Sequence, residues 1–122
     1  MSTDRLLDVD KTLFDLGGDQ TLLAKIAGIF SRTAPDLLAK IREALDAQDL
    51  KRAYGDAHTL KGSVGVFAAP QVFQCVADVA QHAKDRDLAA TEHAFGAARP
   101  LVNRLLDELQ PLIKSSASAS GR

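Results

Sequence analysis

The chain has 122 residues, of which 46% are hydrophobic and 25% charged, and its formal net charge is −1. This is the size and composition of one soluble globular domain, and the near-neutral charge excludes a general nucleic-acid binder, which needs a clear basic excess. The sequence has no apolar run of membrane-spanning length, no signal-peptide pattern, and only one cysteine, so no intrachain disulfide. We therefore expect a cytoplasmic protein that binds neither nucleic acid nor membrane.

The first predicted helix is short and ends at a pair of glycines. Residues 1–8 carry little pattern and form an N-terminal lead, and an apolar segment over 9–16 ends at Gly17 and Gly18, which are typical of a helix stop. Asp19 then favours the N-cap of a second helix. The apolar residues of this helix recur at helical spacing: Leu22, Leu23, Ile26, Ile29 and Phe30.

Proline and aspartate residues set the next boundaries. The second helix is predicted to end near Thr33, because the residue before Pro35 is disfavoured in the α conformation, and Pro35 suits the first turn of a separate helix. Asp49 favours the N-cap of a central helix. We expect this central helix to end at about Phe67 or Ala68.

Two later prolines shape the predicted C-terminal half. Pro70 opens a helix that ends at the polar turn over 84–87. The last helix is predicted from about Leu88 to Ile113, with a kink or a division into two pieces at Pro100. Residues 114–122 form a Ser/Ala-rich tail, which the composition predicts to be disordered.

The sequence has no convincing alternation of apolar and polar residues and no internal repeat. Four helices of useful length joined by short breaks favour antiparallel neighbours in a bundle. The predicted fold class is therefore all-α: an antiparallel four-helix bundle over residues 9–113, with a short additional N-terminal helix.

The central helix combines a histidine with several glycines. On a helical wheel, Lys61 and three glycines lie within about 60° of His58, whereas the apolar residues lie on the opposite side. The glycines are Gly55, Gly62 and Gly65. Since a glycine inside a helix costs roughly 1 kcal/mol relative to alanine, their presence needs a reason. The simplest reason is that a large partner approaches the imidazole closely.

The chemistry of these residue types is compatible with phosphoryl transfer, although a surface histidine taken alone is more often an ordinary solvated residue. A neutral imidazole is a competent nucleophile at phosphorus, and Lys61 on the next turn can partly offset the charge of a phosphoryl group on His58. Tyr54, one turn earlier, either packs beside the ring, contacts a partner, or only marks the edge of the core. Gly55 and Ser63 are further candidates for flanking contacts.

The sequence around His58 resembles the signature of the histidine-containing phosphotransfer (HPt) domains of multistep phosphorelays. That signature is His-x-Leu-Lys-Gly followed by Ser, Ala or Thr, and here it reads His58-Thr59-Leu60-Lys61-Gly62-Ser63. The resemblance runs from about Val9 to Leu109 and includes Leu16-Gly17-Gly18-Asp19, Phe30 with Ala34-Pro35-Asp36-Leu37-Leu38, Asp49, and Ala83 with Asp87-Leu88.

The resemblance implies a phosphorelay intermediate. His58 would accept a phosphoryl group from a receiver-domain phosphoaspartate and pass it to another receiver aspartate. Lys61 would neutralise charge, and Gly62 and Gly65 would allow close approach of the receiver. The implied partners are response-regulator receiver domains and a hybrid sensor kinase. The protein itself would be a monomeric phosphocarrier and not an enzyme. The sequence has no phosphate-binding loop, so we expect no ATP site and no autokinase activity. No cofactor is expected, and Mg²⁺ would belong to the receiver.

The chain departs from the family pattern at several positions: Val66 and Ala68 stand where the family often has Asn and Gly, and Val79-Ala80 stands where it often has Leu-Glu. Some members carry a polar side chain that hydrogen-bonds the second imidazole nitrogen, and Ala80 stands at about that place here. Gln74 and Gln81 remain as substitutes for that partner.

Two other functions stay open. One is a helical docking or regulatory module that binds receiver domains or kinases without being phosphorylated. The other is a metal-binding or catalytic bundle, which ranks far lower because no second ligand lies near His58 on its helix. His82 and His93 lack the spacing of a helical metal pair and are interpreted as structural, and Cys75 as a core thiol. We therefore predict no metal site.

Overall fold

The computed structural model describes the backbone of residues 5–120 and the side chains of residues 5–114. Its elements are five helices: α1 (Val9–Asp15), α2 (Gln20–Asp46), α3 (Leu50–Val64), α4 (Pro70–Lys84) and α5 (Leu88–Ser120). Residues 5–120 contain no strand. The predicted all-α class is confirmed.

The four long helices form a closed ring of neighbours. α2 packs against α3 and α5, α4 packs against the same two helices, and α1 lies against α2. The connections at 47–49, 65–69 and 85–87 are short, so consecutive helices run antiparallel. This confirms the four-helix bundle with a short additional helix. None of the described helices is both long enough and apolar enough to cross a membrane.

The predicted break before Pro35 is wrong. Pro35 lies inside the continuous helix α2, although an interior proline has no N–H to donate and costs about 3 kcal/mol. The buried stripe of α2 continues through this point, and its packing into the core outweighs the local cost. The stripe comprises Leu23, Ala27, Phe30, Ala34, Leu38, Ile41 and Leu45.

The last helix is also continuous and longer than predicted. Pro100 and Pro111 both lie inside α5, so a division into two pieces at Pro100 is wrong. The helix runs to Ser120, beyond the predicted end near Ile113 and into the segment 114–122 that the composition predicts to be disordered. Gly121 and Arg122 of that tail lie outside the described residues. The division of the chain into lead, bundle and tail stays a prediction.

Aspartate caps begin the helices as the sequence predicts. The carboxylate of Asp19 accepts from the N–H of Leu22 at 2.9 Å, and that of Asp49 accepts from the N–H of Arg52 at 3.1 Å. The central helix is shorter than predicted, because it ends at Val64, with Gly65 as its C-cap.

The N-terminal lead takes part in the core, which its sequence does not suggest. Leu6 and Leu7 are buried, and their backbone N–H groups donate to the carboxylate of Glu108 on α5 at 2.9 to 3.0 Å. The carboxylate thereby satisfies donors that precede the first helix. Residues before α1 are thus fastened to the C-terminal half of α5.

A buried hydroxyl fastens α1 to the connection between α3 and α4. The Thr12 Oγ1 donates to the Asp8 carbonyl at 2.8 Å and accepts from the Ala68 N–H at 2.8 Å. The Asp8 N–H donates in turn to the Ala68 carbonyl at 2.8 Å. These bonds hold the chain that follows α3 in one position.

We expect Thr12→Val to destabilise the protein by about 1–3 kcal/mol, because it leaves the Ala68 N–H without its partner. The matched control is Thr91→Val: Thr91 is also fully buried, but its hydroxyl only donates to the Asp87 carbonyl, so a smaller loss is expected. Urea unfolding measures both. Equal losses of unfolding free energy in the two variants would mean that the hydrogen bond to Ala68 adds no measurable stability.

Candidate functional site

The burial of one face of α3 determines where His58 lies. The face that packs into the bundle consists of small and medium apolar residues: Ala53, Ala57, Leu60 and Val64. His58 lies on the opposite side and is exposed. The exposed placement predicted from the helical wheel is confirmed.

Tyr54 stacks on the imidazole of His58. The two ring centroids are 5.6 Å apart, and the ring planes are inclined by 29°. Tyr54 is half-buried and also packs against the core. Of the alternatives open for this residue, the structure therefore combines two, contact with the ring and a place at the edge of the core.

The glycines around His58 leave open surface. A Cβ placed at Gly55 or Gly62 would have no neighbour within 4 Å, so packing within the bundle does not require glycine at either position. At Gly65 a Cβ would lie 3.4 Å from the Phe73 ring and from the Gly62 carbonyl. All three residues are exposed.

Phe73 extends this surface onto α4, and the sequence analysis did not single it out. Its side chain is 37% exposed, although its neighbour in sequence, Val72, is fully buried. The sequence signal that could have identified Phe73 is a large aromatic residue beside the buried positions of an amphipathic helix. We call the exposed surface of Tyr54, His58, Gly62, Gly65 and Phe73 the histidine face.

Lys61 and Ser63 differ in how they are engaged. Lys61 is half-buried, and its ammonium forms no ion pair or hydrogen bond within the described residues. The hydroxyl of Ser63 donates to the Thr59 carbonyl at 3.2 Å, one turn back on its own helix. The Lys61 charge is therefore available to a bound group, whereas the Ser63 hydroxyl is occupied by the backbone.

The structure supplies no hydrogen-bond partner for the His58 ring from among residues 5–114. The amide of Gln74 donates to Asp78 at 2.9 Å, and that of Gln81 donates to Asp85 at 3.1 Å. Neither glutamine takes the place of the polar side chain that is absent at Ala80.

A second cluster of polar side chains lines a cavity of about 350 Å³ between α4 and α5. Its members are Cys75, Asp78, His82 and His93, which the sequence separates but the packing of α4 on α5 brings together. Within the described residues, no three such groups are placed to hold a metal ion. Burial, with a smaller contribution from Asp78, raises the pKa of the Cys75 thiol and so makes it less reactive.

Comparison with known proteins gives one result. The model of the Hpt domain family matches residues 25–112, which cover α3, α4 and most of α2 and α5, and include the histidine face. No curated protein and no solved structure gives a significant match.

Proposed function

The chain belongs to the Hpt domain family, whose members carry phosphoryl groups in two-component phosphorelays, and we propose that His58 is its phosphoacceptor. The observation that carries this proposal is the exposed imidazole of His58 on the only well-exposed face of α3, inside the matched region, with open surface at Gly62. We further propose that the donor and the acceptor are receiver-domain aspartates, reached in the cytoplasm.

The transfer step is a substitution at phosphorus. The unprotonated nitrogen of the neutral imidazole attacks the phosphorus of the receiver's aspartyl phosphate, so that an N–P bond forms and the acyl P–O bond breaks. The aspartate leaves as its carboxylate, and the proton on the other ring nitrogen can pass to water. Onward transfer to a second receiver reverses these bond changes. Mg²⁺ is supplied by the receiver.

Close approach is the main requirement of this step, because the receiver's phosphorylation site must come within bonding distance of an imidazole held on a rigid helix. The open surface at Gly62 and the exposed Gly65 support such an approach. We propose that the receiver docks on the histidine face, with Gly55 at its edge. A hybrid sensor kinase is the proposed source of phosphate, and the working form is a monomer.

Lys61 neutralises part of the charge that the phosphoryl group brings. We expect Lys61→Gln to lower the transfer rate by about twofold to fivefold, the range for a single partly exposed charge pair, whereas Lys61→Arg keeps most of the rate. The control is Lys114→Gln, an exposed lysine on α5, which should have no effect. Single-turnover transfer assays measure all three. Equal transfer rates for Lys61→Gln and Lys114→Gln would mean that the charge of Lys61 has no role in transfer.

The test of phosphotransfer is incubation with a phosphorylated receiver in buffer without ATP. We expect label on the protein that is lost in acid and kept in alkali, which is the behaviour of phosphohistidine. Binding of the receiver without label would instead support the docking-module function. Label that survives in acid would contradict His58 as the acceptor.

A further inference from the structure

We propose that Tyr54 is a positioning residue that fixes the orientation of the His58 imidazole by stacking, in the absence of a hydrogen bond to the ring. This inference rests on the proposed function, because an orientation of His58 matters only if the ring accepts phosphate. It adds a role for Tyr54 that the phosphoacceptor assignment does not contain.

The exposed imidazole of His58 needs a constraint on its orientation. The rotation of a histidine ring about its Cβ–Cγ bond is broad and roughly two-fold, so an exposed imidazole samples several orientations. Within the described residues, no hydrogen bond restrains the ring. The ring of Tyr54 stacks on the imidazole with 5.6 Å between the two centroids.

Tyr54 is itself held in place. Its ring is half-buried and packs against the core, while its other side meets His58. Tyr54 lies four residues before His58, the spacing at which helical side chains face each other. Ala53 and Ala57, the residues that immediately precede Tyr54 and His58, are completely buried, so the stacked pair stands on a fixed backbone.

The stack between Tyr54 and His58 bears on the geometry of the reaction. In-line attack on a phosphoaspartate requires one ring nitrogen to point at the phosphorus when the receiver is docked. A ring that stacks on Tyr54 has already lost most of its alternative orientations, so less ordering is needed in the transition state. The stack should therefore raise kcat for transfer from a receiver, with little effect on KM.

The experiment compares Tyr54→Leu with Tyr54→Phe. Leucine keeps an apolar side chain at the edge of the core but cannot stack, whereas phenylalanine keeps the ring. We expect Tyr54→Leu to lower kcat by about threefold to tenfold with KM within about twofold, and Tyr54→Phe to stay near the wild-type value. In NMR spectra, the His58 ring protons should shift in Tyr54→Leu as the ring current is lost, but not in Tyr54→Phe.

A small phosphodonor separates orientation from nucleophilicity. Phosphoramidate can approach the imidazole in any orientation, so we expect it to label Tyr54→Leu at close to the wild-type rate. The matched aromatic control is Phe73→Leu, which removes an exposed ring from the histidine face without touching His58. Phe73→Leu should raise KM for the receiver and leave the His58 signals unchanged.

Several results would overturn the positioning role. These are a wild-type kcat in Tyr54→Leu, an equal loss in Tyr54→Phe, or an equal loss of labelling by phosphoramidate. A wild-type protein that accepts no phosphate from any receiver would instead overturn the proposed function, and the role of Tyr54 with it. Normal wild-type transfer with an unaffected Tyr54→Leu would overturn the positioning role alone.

Discussion

His58→Gln is expected to abolish phosphoryl transfer, by on the order of a thousandfold or more, while the bundle stays folded. Glutamine has a similar reach but no nucleophilic nitrogen. Because the imidazole is exposed, forms no hydrogen bond within the described residues and loses only its stack on Tyr54, its removal should change the free energy of unfolding by no more than about 1 kcal/mol. Transfer assays with a phosphorylated receiver and urea unfolding measure the two effects.

The chain provides its own control for this variant. It contains three histidines, and the other two, His82 and His93, line the cavity between α4 and α5 rather than the histidine face. The double variant His82→Gln/His93→Gln should therefore transfer at the wild-type rate. Label in His58→Gln, or its loss in the double variant, would mean that the acceptor is misassigned. A large loss of stability in His58→Gln would contradict the exposed placement.

The second large effect is expected for Gly62→Leu, which should separate stability from function. A Cβ at Gly62 meets nothing within 4 Å, so leucine fits the helix and should raise the stability by roughly 1 kcal/mol. The same side chain would stand beside His58 and hold the receiver away from the ring. Since a misplacement of about 1 Å can lower a reaction rate a hundredfold, we expect the transfer rate to fall by roughly tenfold to a hundredfold.

Gly96→Leu is the matched control for this substitution. Gly96 is an exposed glycine inside α5, a Cβ there also meets nothing within 4 Å, and α5 lies diagonally opposite α3 in the ring of helices. This variant should gain similar stability and transfer normally. If Gly62→Leu transferred as fast as Gly96→Leu, the glycine would have no part in docking, and the receiver would have to approach His58 from another side.

Local sequence signals predicted most of the architecture. Asp19 and Asp49 cap the helices that they were expected to cap, and Pro70 opens α4 as predicted. The exposed placement of His58 followed from the spacing of apolar residues on α3, because a helix that buries one face must expose the other. These features depend on residues a few positions apart, which a sequence displays directly.

The features that the sequence did not predict depend on contacts between distant residues. Pro35 remains helical because the stripe around it packs into the core, and this packing cannot be read from the residues next to a proline. Leu6 and Leu7 are fastened by Glu108, about a hundred positions away in the chain. Likewise, His82 and His93 share a cavity only because α4 and α5 are neighbours.

The most direct test of His58 as phosphoacceptor is ³¹P NMR of protein carrying ¹⁵N-labelled histidine, after incubation with a phosphorylated receiver. We predict one new phosphorus signal with a phosphorus–nitrogen coupling, which shows that the phosphate is bonded to an imidazole. The signal should persist in His82→Gln/His93→Gln, in which His58 is the remaining histidine. Absence of the coupled signal from wild-type protein that binds the receiver would contradict the assignment of His58 as phosphoacceptor.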